Sequence, residues 1–330
     1  AGSNDLTSTA MKRRQFLKHT AAGSATLLGC FPATLTTIAR EQTAGQLERR
    51  ALGRTGERLS ILGFGGIVVM DATPRQAEQR VQTAIDRGVN YFDVAPSYGD
   101  AEIKLGPALA RHRSQVFLAC KTAERNKHGA TRDLDQSLKR LQTDHFDLYQ
   151  LHAMTTLDDV ETVFRPDGAM SALLDARQAG KVRFLGFSAH SVEAAMALMD
   201  RFDFDTILFP VNFATWHAGN FGPQVLERAA AKKMGILALK AMAHRPWPEE
   251  TKNRISKCWY EPLGTPAEAM LGLRFTLSHP VTAAIPPGNE QLFEMALNLG
   301  TRFEPLSTEE SAALKQRGLA LDPIFRYPKA

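Results

Sequence analysis

The sequence predicts an α/β fold, a single-domain (β/α)8 TIM barrel preceded by a cleavable signal segment. Short β-rich runs alternate regularly with amphipathic helical patterns along residues 41–330. Several of these runs are continuously apolar, which is typical of strands buried on both faces of a parallel sheet. Eight strand–helix units fit into about 240 residues, which is close to the usual length of such a barrel.

The composition is that of a soluble globular protein. Hydrophobic residues make up 44% of the 330 residues and charged residues 23%, with 3 Cys. These values exclude a disordered chain, a collagen-like repeat, a coiled coil and a disulfide-rich mini-protein. The net charge of +5 lies almost entirely in residues 1–40, since the rest of the chain holds 35 basic and 34 acidic residues. A nearly neutral body argues against a nucleic-acid partner, which needs clustered Lys and Arg on one face.

The N-terminal residues have the organisation of an export signal. Residues 1–10 precede the expected initiator Met11, and we interpret them as a tag or an over-extended start. A basic run and a weakly apolar segment follow, and residues 13–18 (RRQFLK) resemble the twin-arginine motif. We therefore predict a twin-arginine (Tat) signal peptide over 11–40, export by the twin-arginine machinery and a periplasmic location.

Two ways of processing this segment are open. The residues before Arg40 allow cleavage after Ala39, whereas Leu27-Leu28-Gly29-Cys30 resembles a lipobox that would give a lipid anchor at Cys30. The apolar segment is too short and too polar for a stable membrane span.

The order of elements follows from the apolar runs and from the residues that can begin a helix. The strands are expected to start near Leu59, Asn90, Gln115, Asp147, Val182, Thr206, Gly235 and Val281. The expected helix caps are Thr73 before Pro74, Thr131, Ser191, and Thr265 before Pro266. The rival fold is a doubly wound dinucleotide-binding sheet, but the glycine cluster at 63–66 lacks the Gly-x-Gly-x-x-Gly spacing of that fold.

Polar side chains lie at the ends of three successive predicted strands. Asp93 ends the second strand, with Tyr98 just beyond it, Lys121 ends the third and His152 ends the fourth. A parallel barrel brings these strand ends together at one mouth, where such folds carry their chemistry. Each residue alone also has an ordinary structural explanation, but their joint placement favours a site.

This set of side chains suits carbonyl reduction or the reverse alcohol oxidation. A carbonyl that accepts hydride needs a proton donor at its oxygen, and Tyr98 can serve as the general acid. We expect the Lys121 cation to lower the pKa of Tyr98, because a nearby positive charge stabilises the phenolate. Asp93 would hold Lys121 charged, and His152 would orient the carbonyl by a hydrogen bond.

Four segments resemble the aldo-keto reductase family over nearly the whole chain from about Leu47. They are NYFDVAPSYG at 90–99, LACK at 118–121, FDLYQLH at 146–152 and GKVRFLGFS at 180–188. The resemblance implies a tetrad of Asp93, Tyr98, Lys121 and His152. It also implies a nicotinamide cofactor, NAD(P)H, bound across the barrel mouth, and it implies no metal.

The expected cofactor contacts match the family only in part. The residues that the resemblance places near the cofactor are Ser188, His190, Asn212, Lys240, Pro287, Gly288, Glu290 and Asn298. Ala189, Leu208 and Leu239 stand where the family usually has Asn, Gln and a stacking aromatic residue. Glu290 near the phosphate end would repel a 2′-phosphate, which tilts the expectation toward NAD, or toward weak binding of either cofactor, without deciding between them. The helix that follows would offer its N-terminal amides to the pyrophosphate.

The sequence leaves two questions open: whether the protein is an enzyme, and what the segment 243–264 does. The first hypothesis is an exported oxidoreductase that acts on a carbonyl or alcohol, and the alternative is a ligand-binding or regulatory barrel that retains the tetrad. The long segment 243–264 is either a lid with an aromatic wall or a surface excursion. An aromatic mouth with few fixed charges favours a neutral carbonyl compound, a sugar or a quinone.

Overall fold

A computed structural model describes residues 45–251 and 254–328 of the chain. The predicted tag, the signal peptide over 11–40 and the alternative processing positions Ala39 and Cys30 lie outside these described residues. Within them, no helix is both long enough and apolar enough to cross a membrane.

Twelve strands are formed by the described residues. They are β1 (Arg49–Ala51), β2 (Arg58–Ser60), β3 (Phe64–Gly65), β4 (Tyr91–Asp93), β5 (Phe117–Thr122), β6 (Phe146–Met154), β7 (Val182–Ala189), β8 (Thr206–Pro210), β9 (Gly235–Leu239), β10 (Ala243–Pro246), β11 (Tyr260–Pro262) and β12 (Ala283–Ile285). Eight of them form one parallel sheet in the order β12-β9-β8-β7-β6-β5-β4-β3. A parallel bridge between Leu62 and Ala284 joins its two edges, so the sheet closes into the predicted (β/α)8 barrel.

The helices surround this barrel. They are α1 (Pro74–Asp86), α2 (Ala101–Leu109), α3 (Lys127–Arg140), α4 (Leu157–Val163), α5 (Ala169–Gln178), α6 (Val192–Arg201), α7 (Phe213–His217), α8 (Pro223–Ala231), α9 (Pro266–Leu277), α10 (Glu290–Gly300) and α11 (Thr308–Leu319). Their apolar faces pack against the outside of the strands and form the larger hydrophobic cluster. A smaller cluster that includes Tyr91, Leu148 and Leu237 fills the barrel interior.

The predicted helix caps are confirmed at three positions and wrong at one. The hydroxyls of Thr73, Ser191 and Thr265 each accept a hydrogen bond from a backbone N–H in the first turn of their helix. The prediction that Thr131 caps a helix is wrong, because α3 starts four residues earlier. Its cap is Asn126, whose Oδ1 accepts from the backbone N of Gly129.

The predicted first strand divides into two pieces. Leu59 lies in β2, which pairs with β1 as an antiparallel hairpin, whereas the first barrel strand is the short β3 at Phe64–Gly65. Leu52 and Leu59 of the hairpin join the interior cluster of the barrel. The hairpin therefore covers the amino-terminal end of the barrel and leaves the carboxyl-terminal end open for a site.

Candidate active site

A cleft lies at the carboxyl ends of the barrel strands, with a cavity volume of about 230 Å³. Its lining residues are Gly65, Ile67, Asp93, Tyr98, Lys121, His152, Ser188, His190, Leu208, Leu239, Lys240, Lys257, Trp259, Tyr260, Ile285, Pro286, Pro287 and Gly288. All four members of the predicted tetrad therefore face one cavity, as the strand-end argument predicted.

Lys121 and Asp93 form a buried ion pair at the base of the cleft. The Lys121 ammonium contacts Oδ1 of Asp93 and donates a hydrogen bond of 3.2 Å to the backbone oxygen of Val94. Both side chains are almost fully buried. Burial alone lowers the pKa of Lys121, but Asp93 and Tyr98 outweigh burial, and the pKa lies above its usual value. Lys121 is thus held as a cation.

The other oxygen of Asp93 is held by two donors. The hydroxyl of Tyr91 donates to Oδ2 at 3.1 Å, and Nε2 of Gln150 donates to the same oxygen at 3.0 Å. All three side chains are buried. A carboxylate fixed by three partners cannot rotate away from Lys121, so these contacts set the position of the ammonium.

Tyr98 lies above this pair in the turn that follows β4. The Nζ atom of Lys121 is 5.2 Å from the centroid of the Tyr98 ring. Burial raises the pKa of Tyr98 above its usual value near 10, and the Lys121 ammonium offsets only part of that rise. Lys121 lowers the pKa of Tyr98, as expected. The expectation that this pKa lies below its usual value is wrong, because the rise caused by burial is larger than the fall caused by Lys121. Tyr98 consequently keeps its proton at neutral pH.

His152 is a neutral histidine beside Tyr98. The two rings meet edge to face, with their centroids 5.7 Å apart. Burial, together with the cations of Lys121 and Arg125, lowers the pKa of His152 to about 3. Nη1 of Arg125 donates to the backbone oxygen of His152 at 3.0 Å, which fixes the end of β6.

Ser188 and His190, two of the predicted cofactor contacts, extend the polar surface of the cleft. The hydroxyl of Ser188 accepts from the backbone N of Ala153 at 2.8 Å. The ring of His190 stacks on Phe325, with centroids 5.5 Å apart, and burial lowers its pKa to about 4. The substituted residues Leu208 and Leu239 also line the cleft and give it an apolar wall.

Two predicted cofactor residues do not line this cleft. Oδ1 of Asn212 accepts from the backbone N of Thr215 at 2.9 Å and thereby caps α7. Asn298 lies in a separate groove with Thr83 and Arg87. It is eight residues from the start of α10, which corresponds to about 12 Å of helix. Neither residue lines the described cleft, and the predicted contact of each with the cofactor stays a prediction.

The phosphate end of the expected cofactor site differs from the prediction in one respect. Pro287 and Gly288 line the cleft, and a Cβ at Gly288 would lie 2.2 Å from Cγ2 of Ile67, so this position requires glycine. However, Oδ1 of Asn289 accepts from the backbone N of Gln291 and of Leu292. The side chain therefore already occupies two of the N-terminal amides of α10 that were expected to receive a pyrophosphate.

Glu290 begins α10 beside the cleft rather than within its lining. Its carboxylate is 3.3 Å from Nη2 of Arg80 and 3.9 Å from Nζ of Lys257. Lys257 itself lines the cleft and donates to the backbone oxygen of Met70 at 2.8 Å. The expected negative charge near the phosphate end is thus present, but two cations flank it.

The segment 243–264 borders the cleft and contributes an aromatic wall to it. Strands β10 and β11 pair as an antiparallel hairpin, and residues 252–253 between them are outside the described part. Trp259 and Tyr260 line the cleft with their rings perpendicular and 5.3 Å apart. The Trp259 side chain is nevertheless 55% exposed, so one face of this wall meets solvent.

Sequence reasoning missed Gln150 and Lys257. A signal for Gln150 was available, because it lies two residues before His152 on one strand and alternate residues share a face. Lys257 lies in an irregular loop, where no periodicity could place it. Among the described residues, no group of three His, Cys, Asp or Glu side chains comes together as a potential metal site.

The fold and the cleft define a (β/α)8-barrel protein with a candidate active-site cavity at the carboxyl ends of its strands. The sequence profile of the aldo/keto reductase family matches residues 62–258. Because the match covers more than half of the chain, the protein belongs to the aldo/keto reductase family.

Similar proteins agree with this assignment. Over 166 residues the chain is 32% identical to aldo-keto reductase YhdN of Bacillus subtilis, covering 44% of this chain and 48% of that protein. Over 174 residues it is 33% identical to L-galactose dehydrogenase of Arabidopsis thaliana, covering 47% and 53%. These matches span about half the length of the curated relatives. The holo form of aldo-keto reductase AKR11C1 from Bacillus halodurans is similar in fold, with a TM-score of 0.66, 21% identity, and coverage of 85% and 100%.

Proposed function

We propose that the protein is a nicotinamide-dependent oxidoreductase that reduces an aldehyde or ketone, or oxidises the corresponding alcohol, with Tyr98 as the general acid. The observation that carries the proposal is the convergence of four groups on one cleft. These are a protonated Tyr98, a neutral His152 and the buried Lys121–Asp93 pair.

Each group has a defined part in proton transfer. Tyr98 donates its hydroxyl proton to the carbonyl oxygen as negative charge develops there. The Lys121 ammonium stabilises the phenolate that remains, and Asp93 keeps that ammonium in position. The neutral ring of His152 donates a hydrogen bond to the same oxygen and so orients the carbonyl.

The residues of the cleft fit a nicotinamide cofactor at its reactive end. Ser188 and His190 offer polar groups to the carboxamide, and Leu208 and Leu239 offer an apolar wall to the ring. A reduced nicotinamide bound there supplies the hydride. At the phosphate end, Pro287 and Gly288 line the cleft, whereas Asn289 already satisfies two of the N-terminal amides of α10.

A ligand-binding or regulatory barrel is the second candidate function. Leu208 and Leu239 supply no hydrogen bonds where the family has polar or aromatic groups, and Asn212 caps α7 instead of lining the cleft. These features favour weak cofactor binding, whereas the assembled tetrad favours turnover.

Fluorescence titration of the purified protein with NADH and NADPH, followed by assay on a carbonyl panel, separates the two candidates. The panel includes simple aldehydes, quinones and sugars, since one relative is named for oxidation of L-galactose. We expect binding of at least one cofactor and reduction of at least one carbonyl. Binding without reduction of any panel member would support the second candidate.

We also propose that the protein is exported through the twin-arginine pathway, on the strength of Arg13 and Arg14 before an apolar segment. Replacement of both arginines by lysine is expected to retain the protein in the cytoplasm when cell fractions are compared. An unchanged periplasmic fraction would contradict export by this route.

A further inference from the structure

The carboxyl end of β6, which carries a member of the tetrad, is not a regular strand. The pairing of β6 with β7 shifts its register between Leu151 and Met154. His152 and Ala153 lie in this shift and together oppose the single residue Ser188 of β7. An extra residue of this kind is a β-bulge, and bulges beside active sites redirect a side chain.

Ala153 holds the bulge in a conformation that costs free energy. Its φ is 52°, in the left-handed region that residues with a Cβ rarely adopt. A residue keeps such a conformation only where the surrounding contacts hold it there. One of these contacts lies within the sheet, since the backbone N of Ala153 donates to Oγ of Ser188 at 2.8 Å.

The guanidinium of Arg125 binds both carbonyl groups of the bulge. Its Nη1 donates to the backbone oxygen of His152 at 3.0 Å, and its Nη2 donates to that of Ala153 at 3.2 Å. Its Nε donates to Oδ1 of Asp159 at 2.9 Å. A guanidinium is planar and presents its donors at fixed angles, which the ammonium of a lysine does not. The carboxylate therefore orients the same plane that holds the bulge.

Both members of this ion pair are anchored outside the cleft. The backbone oxygen of Arg125 accepts from the backbone N of Ala169 at 2.8 Å, at the start of α5. Asp159 belongs to the capping box at the start of α4, where its Oδ2 accepts from the backbone N of Thr156 at 3.2 Å. Arg125 lies outside the lining of the cleft, so it acts on the cleft only through the strand end that it holds.

We propose that Arg125 is a positioning residue for the proposed reaction: it holds Ala153 in the left-handed conformation, and this bulge places the ring of His152 against Tyr98. The inference rests on the proposed function, because it gives Arg125 a part in orienting the carbonyl. The charge of Arg125 is balanced by Asp159, so the geometry of the guanidinium carries the effect.

The test uses two replacements of Arg125 and one matched control. Arg125→Met removes the donors, and Arg125→Lys retains the charge without the planar fork. Arg113→Met is the control, because Arg113 makes the same kind of contact near the opposite end of β6. It donates to the backbone oxygens of Val116 and His145 at 3.2 and 2.8 Å and lies outside the cleft. The measurements are kcat, affinity for the reduced cofactor and melting temperature.

Both replacements of Arg125 are expected to lower kcat at least about tenfold, because a small displacement of an orienting group is costly in rate. Arg113→Met should lower the melting temperature comparably and keep kcat within about twofold of wild type. Cofactor affinity should stay within about threefold in all three variants. Ala153→Gly added to Arg125→Met should restore most of the lost kcat, because glycine adopts the left-handed conformation without steric cost.

Crystal structures of the variants test the bulge without turnover. In Arg125→Met we expect the φ of Ala153 to become negative and the ring of His152 to move away from Tyr98, whose centroid lies 5.7 Å from it in the native protein. Arg113→Met should retain both features. Absence of carbonyl reduction by the wild type would contradict the proposed function, and these structures would still decide whether Arg125 holds the bulge.

Three results would overturn the proposal. The first is an unchanged bulge or an unchanged kcat in Arg125→Met. The second is full activity in Arg125→Lys, or no recovery on addition of Ala153→Gly, either of which would show that Arg125 acts by its charge. The third is an equal loss of kcat in Arg113→Met, which would show that Arg125 only stabilises the fold.

Discussion

The side-chain amide of Gln150 donates a 3.0 Å hydrogen bond to Oδ2 of Asp93, while Oδ1 of the same carboxylate contacts the Lys121 ammonium. Gln150 therefore acts on the lysine through the carboxylate. All three side chains are buried, and Gln150 lies on β6 two residues before His152. One strand thus supplies both a group that faces the carbonyl and a group that positions the ion pair.

Replacement of Gln150 by Met is expected to lower kcat about tenfold, because Asp93 loses one of its two donors at Oδ2 and the Lys121 ammonium is held less firmly. Affinity for the reduced cofactor should stay within about twofold, since Gln150 does not line the cleft. Steady-state kinetics and fluorescence titration measure the two quantities. An unchanged kcat, or a parallel loss of kcat and cofactor affinity, would show that Gln150 is not a positioning residue.

The burial of His152 predicts a loss of stability in mild acid. Its pKa is about 3 in the folded protein and near 6.5 in the unfolded chain, so below pH 6.5 the unfolded state takes up a proton that the folded state excludes. Between pH 7.5 and pH 5 this costs about 1–2 kcal/mol of unfolding free energy. Urea unfolding of His152→Asn should show a correspondingly smaller loss over that range. Identical pH dependence in variant and wild type would mean that His152 is not buried in its neutral form.

Glu290 is expected to influence the choice between NADH and NADPH. Its carboxylate lies between Arg80 and Lys257, and its removal would leave both cations free to face a 2′-phosphate. Glu290→Gln should therefore shift the ratio of dissociation constants about tenfold toward NADPH. Glu294→Gln is the control, because Glu294 is exposed one turn further along α10 and borders a different groove. A ratio that is unchanged in Glu290→Gln would place the phosphate end of the cofactor elsewhere.

The barrel could be predicted from the sequence because strands and helix starts leave regular patterns in neighbouring residues. Buried parallel strands are continuously apolar, and threonine or serine before a helix marks its start, so the strand order and the caps at Thr73, Ser191 and Thr265 were readable. The cap prediction at Thr131 was wrong because α3 begins earlier, where Oδ1 of Asn126 accepts a hydrogen bond from the backbone N of Gly129. Local pattern does not distinguish two polar residues five positions apart that are both able to cap a helix.

The tetrad could be predicted from the sequence because the strand ends of a barrel converge at one mouth, and this does not depend on the details of side-chain packing. The residues that contact the cofactor were harder to predict, since their positions depend on loop conformations and on helix register. Asn298 illustrates this, because α10 carries it away from the cleft into another groove. The direction of the pKa shift of Tyr98 could not be predicted from the sequence either, because it depends on how much water the assembled cleft excludes.

The central claim is that Tyr98 donates the proton to the carbonyl. The most direct test is the rate of carbonyl reduction by Tyr98→Phe, measured beside its affinity for the reduced cofactor. We expect the rate to fall at least about 100-fold, with cofactor affinity within about twofold of wild type. Tyr149→Phe is the control, because the Tyr149 side chain is buried and lies outside the cleft. It should retain full activity, whereas full activity in Tyr98→Phe would contradict the proposed mechanism.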